Sequence, residues 1–363
     1  MRETTPTLAV PCNRDTCKLP DCRCVGADIP GNISSAQVPQ MVLITFDDAV
    51  TMRAYDIYKK LVGERRNPNG CPIAFTFYVS HKYTEYSAVQ NLYAMGHEIA
   101  SHSITHRTPS HWWKRVGTKQ WNMEIGGERD IIANLSGAPT RDVSGMRAPF
   151  LSVAGDAQFS ALWDAGFVYD SSISTMRTAP PIWPYTLDHA LDRRTCTAGC
   201  PARSYPGLWE VPMVTFAGRD GYPCAMVDGC PAAGSRERTL AALRKNFRAH
   251  YDSNRAPLPL FFHVGWFWSR ANRLGFQDFV DEILALPDVW LVPTRQAIEW
   301  IRRPLTGKVL LGDDSPFACD RLPKMAMCER PHHCRYTAAS GEVIVMQTCA
   351  ACPRDYPWVR QPA

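Results

Sequence analysis

The sequence predicts an α/β fold of parallel strands and crossover helices, on three observations. Short apolar runs alternate with helix-patterned stretches along residues 41–300. The strand–loop–helix unit recurs about every 25–40 residues, the pattern of right-handed parallel crossovers. Most of the runs end in an acid, a histidine or an arginine, and a (β/α) barrel gathers such strand ends at one mouth.

The elements follow in order. Residues 41–46 form a buried strand ending at Asp47 and Asp48, and residues 56–62 a helix stopped by Gly63. A strand at 74–79 and a helix at 87–95 stopped by Gly96 come next, then a short strand at 98–100. The stretch 122–136 is helical and ends at Gly137; 143–147 is a strand running to Pro149. A helix at 158–165 ends at Gly166, and 167–169 is a strand ending in Asp170. Residues 178–235, rich in proline and carrying four cysteines, are expected as long loops over the mouth, with one embedded strand at 208–213. A strand at 258–262 leads to His263, followed by a helix at 278–286, a strand at 290–292 and a helix at 294–301. This divides the chain into a Cys-rich arm (1–40), a barrel (41–303) and a second Cys-rich extension (304–363) packed on the barrel.

Composition narrows the class. With 45% hydrophobic and 21% charged residues, the 363-residue chain can bury a large core and is not disordered. Its net charge of +5 is spread along the sequence, which argues against a nucleic-acid partner. No apolar stretch is long enough for a membrane span. The first ten residues hold no apolar leader core, so any leader is expected to have been removed. Fourteen cysteines favour seven disulfides and a secreted, extracellular protein. The C-x-x-C spacing of Cys349 and Cys352 leaves a zinc ribbon as the alternative for some of them. Two Asn-x-Ser sequons, at Asn32 and Asn134, agree with a secretory route. The pairing pattern stays open.

The chemistry-bearing candidates stand at the strand ends. His102 and His106, at i and i+4, share a face of a helical turn and can reach one metal. Two adjacent carboxylates, Asp47 and Asp48, end a buried strand and repel each other unless a cation joins them. One can ligate a metal while the other stays free as a base. One Asp and two His leave coordination positions for water and substrate. Trp266 follows His263 closely and offers an aromatic face for a sugar; Trp112, Trp113 and Trp268 are weaker candidates.

In order, Thr45-Phe-Asp-Asp-Ala49, His102-Ser-Ile-Thr-His106, Arg147-Ala-Pro-Phe150, Tyr169-Asp-Ser171 and Phe261-Phe-His263 resemble the five motifs of the polysaccharide deacetylases of carbohydrate esterase family 4. The Cys-rich arms look like those of insect chitin deacetylases, in particular the gut-type group with only a catalytic domain. The resemblance implies a distorted (β/α) barrel and one Zn2+ per chain, held by Asp48, His102 and His106. It implies Asp47 as the base acting on metal-held water, Arg147 as the group that orients Asp47, and the Phe150 backbone N–H as an oxyanion donor. His263 is implied as the general acid, with Asp170 orienting it. The implied reaction removes acetyl groups from the N-acetylglucosamine units of chitin or chito-oligosaccharides, giving acetate and a chitosan-like product. A monomer is expected, with other chitin-matrix proteins as admissible partners. The alternatives are a chitin-matrix binding or organising protein with little turnover, and a deacetylase of another glycan.

Overall fold

A computed structural model of the protein describes residues 6–338 and 341–359. Strands β1 (Gln40–Asp47), β2 (Thr76–Val79), β3 (Glu98–Ser101), β4 (Gly145–Met146) and β5 (Tyr169–Asp170) alternate with helices α1 (Met52–Val62), α2 (Tyr86–Ala94), α3 (Thr118–Trp121), α4 (Gly127–Ser136) and α5 (Asp156–Asp164). Six short strands follow: β6 (Ser174–Thr175), β7 (Tyr185–Thr186), β8 (Trp209–Glu210), β9 (Met213–Val214), β10 (Phe216–Ala217) and β11 (Pro223–Cys224). The chain continues through α6 (Arg236–Tyr251), β12 (Leu258–His263), α7 (Arg270–Leu284), β13 (Val289–Leu291) and α8 (Thr294–Arg302), and ends in a hairpin of β14 (His332–Thr337) and β15 (Val343–Thr348).

The main sheet runs β12-β1-β2-β3-β4-β5-β8-β7, with β13 also on β1, and only β7 is antiparallel to its neighbour. Its end strands β12 and β7 do not pair, so the barrel is curled and incomplete. Alternation along buried strands sorts the side chains into two layers. Val42, Ile44 and Phe46 of β1 join Leu258, Leu260 and Phe262 of β12 in the outer core beneath the helices. Thr45, Asp47, Phe261 and His263 therefore face the other way, into the barrel. Asp47 and His263 are register partners across the β1–β12 pair, so the parallel pairing sets them side by side.

Two sequence expectations need correction. First, residues 102–106 are not helical: Ser103 (φ 80°) and His106 (φ 43°) are both left-handed, and the segment is a loop after β3. A strand end and two backbone reversals bring the histidines together instead of one helix turn. Second, α6, the longest helix, was not among the expected elements. Arg, Lys and Glu interrupt its apolar spacing, leaving Leu243 and Phe247 as its fully buried apolar anchors. Its start is marked by Ser235, whose side chain accepts from the Arg238 N–H.

All fourteen cysteines pair, which removes the zinc-ribbon alternative: Cys349 bonds Cys328 and Cys352 bonds Cys334. Cys71–Cys319 joins residues 248 apart and so constrains the unfolded chain strongly. The C-terminal hairpin lies on the barrel: Cys334 and Met346 enter the outer core, and the Gln347 N–H donates to Glu85. The N-terminal arm is stapled by Cys12–Cys24 and Cys17–Cys22, and Gly26 accepts from the Trp183 N–H.

The packing beneath β4 allows no side chain at Gly145, where a Cβ would overlap the Tyr169 ring. Tyr169 is fully buried and donates to Glu98 at 2.9 Å, so it cannot swing away. Gly145→Ala is expected to cost about 1–3 kcal/mol or more, measurable as a lowered thermal midpoint.

Candidate active site

The mouth of the barrel is assembled from the ends of β1, β3, β4 and β12. Asp47 is almost fully buried, and Arg147 Nη1 donates to its Oδ1 at 2.6 Å. Arg147 is itself fixed on every side. It donates to the Ser171 carbonyl at 2.8 Å, the Ser171 hydroxyl at 3.0 Å and Thr45 Oγ1 at 2.9 Å. The rings of Tyr78 and Phe261 flank its guanidinium at 3.9 and 4.7 Å. Burial alone would push the Asp47 carboxyl up. The charge of Arg147, helped by His102 and His263, wins and holds it below the usual carboxylate range. Asp47 is therefore an ionised carboxylate at neutral pH, oriented by a cation that cannot move.

Asp48, next in the chain, turns outward through a left-handed φ of 83°. Its Oδ1 lies 3.5 Å from His106 Nε2 and 3.8 Å from His102 Nε2. One donor atom from each of the three residues falls within 4.8 Å of the others. His102 Nδ1 contacts the Arg147 carbonyl at 2.8 Å; a carbonyl only accepts, so Nδ1 carries the proton and Nε2 is free as a ligand. Burial, reinforced by His102, pushes His106 down to about 4, which keeps it an unprotonated donor. Two imidazole nitrogens and one carboxylate, with the rest of the sphere open, are a donor set that fits a divalent metal such as zinc.

The loop between the two histidines is held from beneath. A π-helical turn, Asn122–Gly126, presents the buried Glu124. Its carboxylate accepts from the Thr105 N–H at 2.9 Å and the Thr105 hydroxyl at 2.7 Å. The Ser103 hydroxyl accepts from the His106 N–H at 3.1 Å.

His263 stands beside Asp48, with Nε2 3.8 Å from Asp48 Oδ2. Its Nδ1 bonds Asp228 Oδ2 at 2.8 Å, and its backbone N–H donates to the same oxygen at 2.6 Å. Burial works against a charge on this ring. The Asp228 hydrogen bond, with Asp47 and Asp48 nearby, overcomes it and raises His263 to about 9. A proton donor and an ionised acceptor thus sit on adjacent strand ends.

Residues 35–168 match the polysaccharide deacetylase family, a span that includes Asp47, Asp48, His102, His106 and Arg147. The chain is also 39% identical to Chitin deacetylase 1 of Bombyx mori over 377 aligned positions, covering 99% of this chain and 70% of that protein. It is 37% identical to Chitin deacetylase 8 of Bombyx mori, over 98% of this chain and 93% of that one. The chain belongs to the polysaccharide deacetylase family. A Mycobacterium smegmatis structure described as a polysaccharide deacetylase shares the fold, with a TM-score of 0.53 at 19% identity over 76% of this chain and 93% of that one.

In this deacetylase two side chains lie elsewhere than expected. Asp170 does not touch His263. It accepts from Gln158 at 3.0 Å and from the Ser172 N–H and hydroxyl at 2.9 and 2.8 Å, and it faces Glu210. Burial pushes both carboxyls up, and the two acids form a buried structural pair away from His263. Ser172 in turn accepts from the Ala148 N–H at 2.8 Å, which sets the turn that carries Phe150. The carboxylate in contact with His263 is Asp228, held in a loop closed by Cys224–Cys230. Its only sequence signal is an acid bracketed by two cysteines, 35 residues before His263 and within an irregular stretch.

Trp266 also lies elsewhere. Its ring packs on Phe262 and Phe267, at 4.9 and 4.8 Å, on the outer-core side of β12. It lines a separate cavity of about 380 Å³ between α6 and the Phe216–Cys230 region, and none of the catalytic candidates borders that cavity. Trp113 is buried core and Trp268 is exposed under Arg53. An exposed aromatic side chain at the mouth is Phe150, with its ring 4.3 Å from that of His106.

Proposed function

We propose that this deacetylase hydrolyses the N-acetyl groups of chitin, releasing acetate and leaving glucosamine units. The observation that carries this reading is the paired strand ends: Asp47, ionised against Arg147, beside His263, protonated against Asp228. Hydrolysis of an acetamide needs both states at once. Asp47 accepts the proton of the attacking water as the tetrahedral centre forms, and Arg147 keeps it ionised and aimed. The Phe150 turn offers its N–H to the developing oxyanion, a donor of a kind worth about 3 kcal/mol. His263 delivers its proton to the departing nitrogen, without which the amine is too poor a leaving group. Zn2+ held by Asp48, His102 and His106 would supply a Lewis acid for the acetyl oxygen and a lowered pKa for the water. The names of the Bombyx mori relatives support chitin as substrate. The seven disulfides support an extracellular setting, and among the described residues no helix is long and apolar enough to cross a membrane. All of these residues lie on one chain, which suits a monomer.

Chelation tests the metal. Protein dialysed against a chelator should lose acetate release from chitin pentamer and regain it at one zinc per chain. Undiminished release after verified metal removal would overturn this part of the reading. The support from Glu124 makes a related prediction. Glu124→Ala should weaken zinc retention about 10–100-fold in a chelating-dye competition, and Glu124→Gln, which keeps one acceptor oxygen, should weaken it less.

A further inference from the structure

The sequon at Asn134 is not used by the active site, and its place in the fold is unlike that of Asn32. Asn32 stands exposed at the end of a short turn, Pro30–Asn32. Asn134 is exposed near the end of α4 and borders a cleft of about 860 Å³. One wall of this cleft is α4, through Asp130, Ile131 and Asn134; the other is the C-terminal segment, through Arg354, Tyr356 and Trp358. Tyr356 is committed inward, stacked on the buried His81 at 4.6 Å. Trp358 lies against Tyr356 at 5.8 Å and remains 44% exposed. A partly exposed aromatic ring, in a cleft of this size bordered by a glycan acceptor, is what the apolar C–H face of a pyranose needs for stacking.

We propose that Asn134 carries an N-linked glycan whose first N-acetylglucosamine units lie in this cleft against Trp358 and fasten the C-terminal segment to α4. The proposal rests on the secretory reading above. In the modification, the Asn134 amide nitrogen attacks the anomeric carbon of a lipid-linked oligosaccharyl diphosphate. The N–C bond forms, the C–O bond to the diphosphate breaks, the amide proton passes to a base and the lipid diphosphate leaves. The ladder from α4 to the hairpin already holds the cleft's far end, because Thr348 Oγ1 donates to the Leu135 carbonyl. The glycan would bridge the open side, where the segment after Cys352 has no further disulfide.

The test uses the full chain secreted from mammalian cells, digested with peptide-N-glycosidase in native and denatured form and mapped by peptide mass spectrometry. Both sequons should be modified. Under native conditions the Asn32 glycan should be released while the Asn134 glycan resists; after denaturation both should be released. Trp358→Ala should expose the Asn134 glycan, raising its native release at least tenfold toward the Asn32 rate. Asn134→Gln should speed tryptic cleavage after Arg354. Native release at Asn134 as fast as at Asn32, or an unmodified Asn134 beside a modified Asn32, would overturn the proposal alone. Neither sequon modified would overturn it together with the secretory reading.

Discussion

Asp47→Asn is expected to lower kcat/KM for chito-oligosaccharide deacetylation by about three orders of magnitude, the middle of the range for loss of a general base. The substitution keeps the shape and leaves an amide oxygen for Arg147. It removes a carboxylate at the mouth that is both buried and paired with a fixed cation. Some stability should go with it, because Arg147 then carries a buried charge without its counterion. That loss is moderated by the two Ser171 bonds, the Thr45 bond and the two flanking rings, none of which depends on Asp47. Zinc retention and the thermal midpoint separate the causes: a folded, zinc-retaining, inactive variant identifies the base. Wild-type turnover in that variant would remove Asp47 from the mechanism.

The second large effect belongs to His263 and its partner. His263→Ala should lower kcat/KM about 10²–10³-fold at neutral pH. The pH profile carries the more specific information. A histidine raised to about 9 stays protonated across neutral pH, and its proton is lost as pH climbs through that value. Activity should therefore fall on the alkaline side near 9, a limb that His263→Ala abolishes. Asp228→Asn takes away the carboxylate that stabilises the imidazolium, so the limb should move to lower pH. Asp170→Asn should leave the limb in place, since that carboxylate belongs to the Glu210 pair. A limb unmoved by Asp228→Asn but shifted by Asp170→Asn would restore the role that the sequence suggested for Asp170.

Why some of this was legible in the sequence and some was not follows from distance along the chain. Asp47 and Asp48 end an unbroken apolar run, and His102 and His106 follow a short strand, so each pair announces itself within a few residues. Parallel strands then carry these ends to one mouth without further information. Asp228 had no such signal. Its carboxylate reaches His263 through an irregular loop pinned by a disulfide, a contact that no periodicity encodes. Asp170 showed the reverse: a strand-end acid looks catalytic, yet a fully buried carboxyl facing Glu210 is consumed by its own neighbours. Trp266 failed on layering. Nearness to His263 in sequence suggested the mouth, but the 3₁₀ turn at Val264–Trp268 returns the chain toward Phe262, on the other face of the strand. The histidine loop was expected as a helix turn because i, i+4 spacing fits one. Two left-handed residues and the Glu124 brace achieve the same convergence without it.

If a base and an acid of opposite protonation act together on an acetamide, acetate must be released. Purified zinc-loaded protein should be incubated with chitin tetramer and pentamer, following acetate enzymatically and the oligomer by mass. Stepwise loss of single acetyl groups is expected, with one acetate for each new amine and no cleavage of the sugar chain. A zinc-loaded protein that binds insoluble chitin but releases no acetate from either oligomer would contradict it and leave a chitin-binding matrix protein in its place.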